Sequence, residues 1–109
     1  MVLREGLVAL LSGQPDIEVV RSVSTADEAM KHVYETDPDL ALVDVDMPGG
    51  RGLEVIRRMR VERPLTRVIA LVGYEWDETA LAATEAGACA LLAKDQIPHQ
   101  LLPLIRGGD

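Results

Sequence analysis

A single cysteine in 109 residues excludes an internal disulfide, and no apolar run reaches the length of about 18 residues that a membrane-spanning helix needs. A signal-peptide pattern is also absent. Together these features predict a chain of the reducing cytoplasm and argue against secretion and membrane association. Cys89 lies in the apolar run CALLA and is expected to be a buried small hydrophobe rather than a nucleophile. Positive charge is not in surplus either. The formal net charge of −7 argues against direct nucleic-acid contact, because phosphate contacts need clustered Lys and Arg. The tightest basic group, Arg57, Arg58, Arg60 and Arg63, follows a helix that also carries Glu54 and Glu62, and reads as a solvated face. No G-x-G-x-x-G or P-loop glycine pattern is present, which leaves a nucleotide- or cofactor-binding enzyme as the weakest reading. His32 and His99 sit on expected helices without metal or catalytic partners and read as surface residues.

The composition that remains is globular: 48% apolar and 27% charged residues, in a length suited to one domain, with no repeats, low-complexity tracts or linkers. Leu7, Val8, Leu10 and Leu11 continue a helical spacing that begins at Val2 and stops at Gly13 to Pro15, so the chain opens inside a helix. The run IEVVRSV, residues 17–23, reads as a strand, and Thr25 with Glu28 as a capping box opening a second helix around Ala29, Met30 and Val33. LALVDV is apolar without alternation, as expected of a strand covered on both faces, and ends on Asp44. A glycine-rich turn, MPGGRG, precedes a helix marked by Leu53, Ile56 and Met59; RVIALV is a second fully apolar strand.

A helix opened by Asp77 or Glu78 should turn Leu81, Ala82 and Ala86 inward and close at Gly87 in the left-handed conformation. CALLA reads as the last strand. Pro98 suits the first turn of a terminal helix with Leu101, Leu102 and Ile105, and Pro103, which costs about 3 kcal/mol inside a helix, predicts that this helix is short or kinked. Regular alternation of helix and strand with short connections predicts a three-layer α/β/α sandwich, flavodoxin-like, around a parallel sheet with four strands in this chain. In such a fold chemistry collects at the carboxyl ends of the strands, where Asp44 and Lys94 both fall. A carboxylate there can coordinate a hard cation and attack a phosphoryl group, while an ammonium opposite can hold phosphoryl oxygens. Taken singly, Asp44 reads better as a strand-end residue capping a turn or helix and Lys94 better as a solvated lysine.

The joint spacing resembles the receiver domain of two-component response regulators, most closely the receivers that precede a LuxR-type DNA-binding module. DPDLALVDVDMPGGRGLEVIRRM is similar to the stretch around the phosphoacceptor aspartate, and RVIALVGY with EAGACALLAKD is similar to the fourth strand, helix end and final strand end of that family. The likeness covers residues 1–109 as one receiver-like domain. It implies Asp44 as phosphoacceptor, Lys94 as the phosphoryl-contacting lysine, and Asp46 as the position whose backbone carbonyl coordinates magnesium, its carboxylate being an exposed loop acid. A sensor histidine kinase would be the upstream partner, transcription control through an attached or partner DNA-binding module the output, and residues 77–106 a possible homodimer face.

Three departures from the family pattern limit that reading. The sequence opens after the first strand and its magnesium-holding acidic pair, so Asp44 and Asp46 would make a metal site only if that pair were supplied. A shortened chain, a strand from a partner chain and a rearranged four-stranded sheet each account for this. Val72 replaces the hydroxyl residue that senses the phosphoryl group, and Leu91 replaces the aromatic switch residue; Tyr74 and Trp76 are displaced from that position. Because phosphoryl transfer is stabilised almost wholly by electrostatics, weak or absent phosphotransfer to Asp44 is expected. The alternative is a degenerate, phosphorylation-independent receiver acting as an interaction module.

Overall fold

The computed structural model describes residues 2–19, 26–46, 51–73 and 78–107. Helices α1 (Val2–Ser12) and α2 (Ala26–Thr36) precede strand β1 (Leu40–Asp44), followed by α3 (Gly52–Glu62), β2 (Arg67–Val72), α4 (Glu78–Ala86), β3 (Ala90–Ala93), a 3-10 turn at Lys94–Gln96 and α5 (Ile97–Gly107). The three strands pair in chain order, β1-β2-β3, and both ladders are parallel. Asp44 pairs with Leu71, which pairs in turn with Leu92.

The central strand sets the layers. Val68, Ala70 and Val72 of β2 join Val43, Val45, Val55, Ile56, Met59, Met30 and Val33 in one buried cluster under α2, α3 and α4. Ile69 and Leu71, on the opposite side chain phase, join Leu92, Ile97 and Leu101 in a second cluster, against which Leu7, Leu10 and Leu11 of α1 pack. The sandwich of helix, sheet and helix is as the sequence predicts. Burial of each large aliphatic side chain removes enough surface to stabilise by about 1.5–3 kcal/mol, so β2, with five of six residues buried, anchors both faces.

The sheet has three strands among the described residues, not four. Ile17 to Val19 of the run IEVVRSV lie outside any strand, and residues 20–25, with the Thr25 capping box, fall outside the described region. β-branched composition suits a pleated ladder but does not create one; a strand needs a neighbour offering its own N–H and C=O groups, and the only described partner of β1 is β2.

Three other expectations need correction. In α4 the inward residues are Ala80, Ala83 and Ala86, while Leu81 is 64% exposed. Alanines three apart let the helix approach the sheet closely, and the Gly87 and Ala88 amides bonding back to Ala83 O fix its phase. Gly87, at φ +120, does close α4 as expected. Cys89 is exposed because β3 begins only at Ala90; Cys89 sits in the preceding turn, its amide donating to Val68 O. Finally, α5 runs for 11 residues through Pro103. Pro103 is exposed, so the carbonyl it leaves without an amide partner faces water, while Ile97 and Leu101 hold the opposite face in the core.

Candidate functional site

Parallel strands put their carboxyl ends on one rim, and the register brings β1 and β3 to that rim on either side of β2. Two strand spacings separate the outer strands by about 10 Å, a gap that a lysine side chain can bridge. Lys94, one residue past β3, does so. Its Nζ lies 3.0 Å from Asp44 Oδ1 and 2.9 Å from Asp46 Oδ2. The amide of Asp46 donates to the same Asp44 Oδ1 at 2.9 Å, a local turn bond of the kind Asp makes to backbone two residues on. Asp44 thus has one oxygen engaged twice, and Oδ2 carries no partner among the described residues.

Asp44 is half-buried by its surroundings and Asp46 exposed, with side-chain exposures of 19% and 58%. Partial burial alone would lower the pKa of Lys94; hydrogen bonds to Asp46 and Asp44, and their charges, outweigh it and raise the value above the ordinary 10.5. The ammonium is therefore retained through neutral pH. Sequence reasoning assigned Asp46 only a backbone role. The structure gives its carboxylate a specific partner, and no local sequence signal could have shown this, because Asp46 and Lys94 are 48 positions apart.

Val72 is fully buried in the cluster under α3 and α4, and Leu91 packs against the same cluster. Neither offers a polar group to the rim. Tyr74, Trp76 and the glycine turn at 47–50 lie outside the described residues. The basic face of α3, expected to be solvated, also carries ion pairs: Arg58 reaches Glu62 and the Tyr34 hydroxyl, Arg63 just past the helix meets Asp37 and lies over the Tyr34 ring, and Arg51 at the N-cap reaches Glu54. His32 bonds Glu35 on α2, and His99 is exposed on α5.

Receiver domains generally bind magnesium beside the phosphoacceptor, and magnesium demands six oxygens at about 2.0–2.1 Å. The described residues do not fit that demand. Asp44 and Asp46 are the carboxylates at hand, both already hold Lys94, and no group of three or more His, Cys, Asp or Glu among the described residues could hold a metal. Nor is any described helix long and apolar enough to cross a membrane.

A family model described as the response regulator receiver domain matches residues 1–106. The uncharacterized transcriptional regulatory protein YhcZ of Bacillus subtilis is 37% identical over 110 residues, 99% of this chain and 51% of that protein. The nitrate/nitrite response regulator protein NarL of Escherichia coli is 35% identical over 101 residues, 93% of this chain and 47% of that relative. A LuxR-family two-component response regulator from Aurantimonas sp. superposes with a TM-score of 0.87 at 31% identity, covering 97% of this chain and 76% of that one. The chain spans about half the length of the curated relatives it matches. The family model spans residues 1–106, and the relatives and solved structures that match over nearly all of the chain include LuxR- and NarL-type regulators: this chain belongs to the response regulator receiver domain family.

Proposed function

We propose that residues 1–109 form one regulatory module that accepts a phosphoryl group on Asp44, weakly in this form, and passes its state to a DNA-binding module that controls transcription. The observation that carries this reading is the 3.0 Å approach of Lys94 Nζ to Asp44 Oδ1. Response regulators take their signal from sensor histidine kinases and dimerise as a family, which makes such a kinase the donor here. Asp44 Oδ2 attacks phosphorus, the bond from phosphorus to the donor breaks, and the donor leaves with that electron pair. Lys94 then meets the oxygens of the acyl phosphate. The module works as a cytoplasmic regulator rather than as an enzyme with a substrate of its own, and its acidic charge keeps nucleic-acid contact to another module.

The departures at Val72 and Leu91, together with the unfitted metal site, support weak transfer. An acyl-phosphate assay with magnesium and a small phosphodonor, run against Asp44→Asn, tests the assignment. Faint labelling that vanishes in Asp44→Asn is expected. Labelling that survives Asp44→Asn sinks the phosphoacceptor role, and strong Asp44-dependent labelling sinks the weakness.

A second reading, a phosphorylation-independent interaction module, is favoured by Leu81, whose side chain stands 64% exposed on α4 within the candidate homodimer face at 77–106. Light scattering across a concentration series distinguishes it. An unmodified chain that stays dimeric on dilution supports this reading, and a monomer at every concentration removes it.

A further inference from the structure

Unpaired positive charge and exposed apolar surface coincide on the outer face of α3. Between Arg51 and Arg63 the sequence holds five basic residues and two acidic ones, a local balance of +3 on a chain whose formal total is −7. Three of the five are engaged: Arg51 with Glu54 and Asp27, Arg58 with Glu62, and Arg63 with Asp37. Arg57 and Arg60 hold no ion pair among the described residues, and both are exposed. The aliphatic stem of Arg60 lies against Gly87, which spends its apolar part on the fold and leaves the guanidinium without a partner there.

Beside these cations stand the two most exposed large hydrophobic side chains of the described residues, Val61 at 79% and Leu65 at 95%. Val61 follows Arg57 by one helical turn, so the two share the strip of α3 opposite its buried residues Val55, Ile56 and Met59. Leu65 sits in the turn just past the helix, which the Thr66 amide closes by donating to Arg63 O at 3.0 Å. One exposed aliphatic residue needs no explanation. Two of them beside two unpaired guanidiniums make a surface with apolar anchors and a cationic border, the composition of a docking face.

We propose that the stretch of α3 and its following turn from Arg57 to Leu65 docks an acidic amphipathic helix of a partner protein. Carboxylates of that helix would meet Arg57 and Arg60, and its aliphatic side chains would cover Val61 and Leu65. The sign of the partner follows from the two uncompensated cations. Its form follows from spacing, since Arg57, Arg60 and Val61 lie three and four positions apart and match a second helix laid along α3. This face is separate from the rim. α3 starts at Gly52, packed on the Asp44 carbonyl, and runs away from that strand end, so docking needs neither phosphoryl transfer nor the Lys94 contact.

Fluorescence anisotropy with the full chain tests this, using a labelled helical peptide of about 15 residues with Leu and Ala along one face and Glu on its flanks. The peptide should bind, and binding should weaken about tenfold in Arg57→Glu and about tenfold in Val61→Asp. It should also weaken steeply with added salt, and amide NMR shifts should centre on residues 57–65. Arg57 and Val61 are exposed, so both variants should keep the thermal midpoint of the unaltered chain; Arg60, whose stem packs on Gly87, is tested as Arg60→Gln. Asp44→Asn should bind the peptide as the unaltered chain does, which separates this test from that of the phosphoacceptor. No binding, equal binding of a peptide with Lys in place of Glu, or undiminished binding by Arg57→Glu and Val61→Asp overturns the proposal. Duplex DNA that displaces the peptide, or self-association lost in the same two variants, would give the face to nucleic acid or to a second copy and would equally overturn it.

Discussion

The backbone of Gly52 rests on the carbonyl of Asp44: a Cβ at position 52 would lie 2.6 Å from that oxygen and 2.8 Å from Val45 Cα. Both obstacles are backbone atoms of the strand end that presents Asp44, so neither can rotate aside. Gly52→Ala should therefore lower unfolding free energy by about 1–3 kcal/mol in a urea titration, despite the better helix propensity of alanine. It should also shift the amide resonance of Asp46, whose bond to Asp44 depends on that strand end.

Gly87 answers to two separate constraints. Its φ of +120 disfavours any side chain, and a Cβ there would stand 2.3 Å from Cδ of Arg60. Gly87→Ala should cost about 1–3 kcal/mol, and adding Arg60→Ala, which removes Cγ and Cδ but keeps a Cβ 3.0 Å away, should recover only part of the steric cost, leaving a backbone part of about 1–2 kcal/mol. Full recovery in the double variant would show that the backbone conformation carries no penalty.

Arg67 ties the start of β2 to the end of α5 through bonds of 3.1 Å to Ile105 O and 3.2 Å to Leu104 O. A cation on the last carbonyls of a helix meets both their unsatisfied acceptors and the negative end of the helix dipole. Arg67→Met, which keeps much of the aliphatic stem, should destabilise by about 1–2 kcal/mol. Hydrogen exchange should quicken first in the final turn of α5.

The acid and alkaline limbs of stability come from different groups. The hydrogen bond from Arg106 holds Asp16 below its ordinary 3.8, so this pairing contributes fully above that value and is lost as pH falls through the depressed one. Lys94 is raised, so its pairing is fully present below 10.5 and is lost as pH climbs through the higher folded value. Thermal unfolding of Asp16→Asn should converge on that of the unaltered chain as pH falls below the ordinary carboxylate range, and Lys94→Met should do so only at strongly alkaline pH.

The sequence shows most plainly those elements whose burial is two-sided. RVIALV is read as a strand at its observed bounds because a fully apolar run has few other uses, and Leu53, Ile56 and Met59 show their helix by spacing alone. Of the run IEVVRSV, Ile17 to Val19 lie outside any strand and the rest falls outside the described residues; propensity suggests a strand, while a ladder depends on what lies beside it. Leu81 and Cys89 were misjudged for a related reason: hydrophobicity reports that a residue could be buried, while the closeness of an alanine stripe and the starting point of β3 decide whether it is. Asp44 and Lys94 were legible together through strand-end position. The Asp46 carboxylate was not, because its partner is fixed by the three-dimensional register of two ladders.

The chain-order arrangement of the sheet has a consequence for folding. Among the described residues each strand pairs beside the one before it in the chain, but every pairing is parallel and must close a helical crossover first, so the loop-closure cost falls before the ladder forms. Yet Asp44 ends the first strand of that series and Lys94 follows the last, with the middle strand between them. Any intermediate lacking one ladder holds Asp44 without Lys94 beside it. The pairing of Lys94 with Asp44 and Asp46 thus forms only when both ladders are complete.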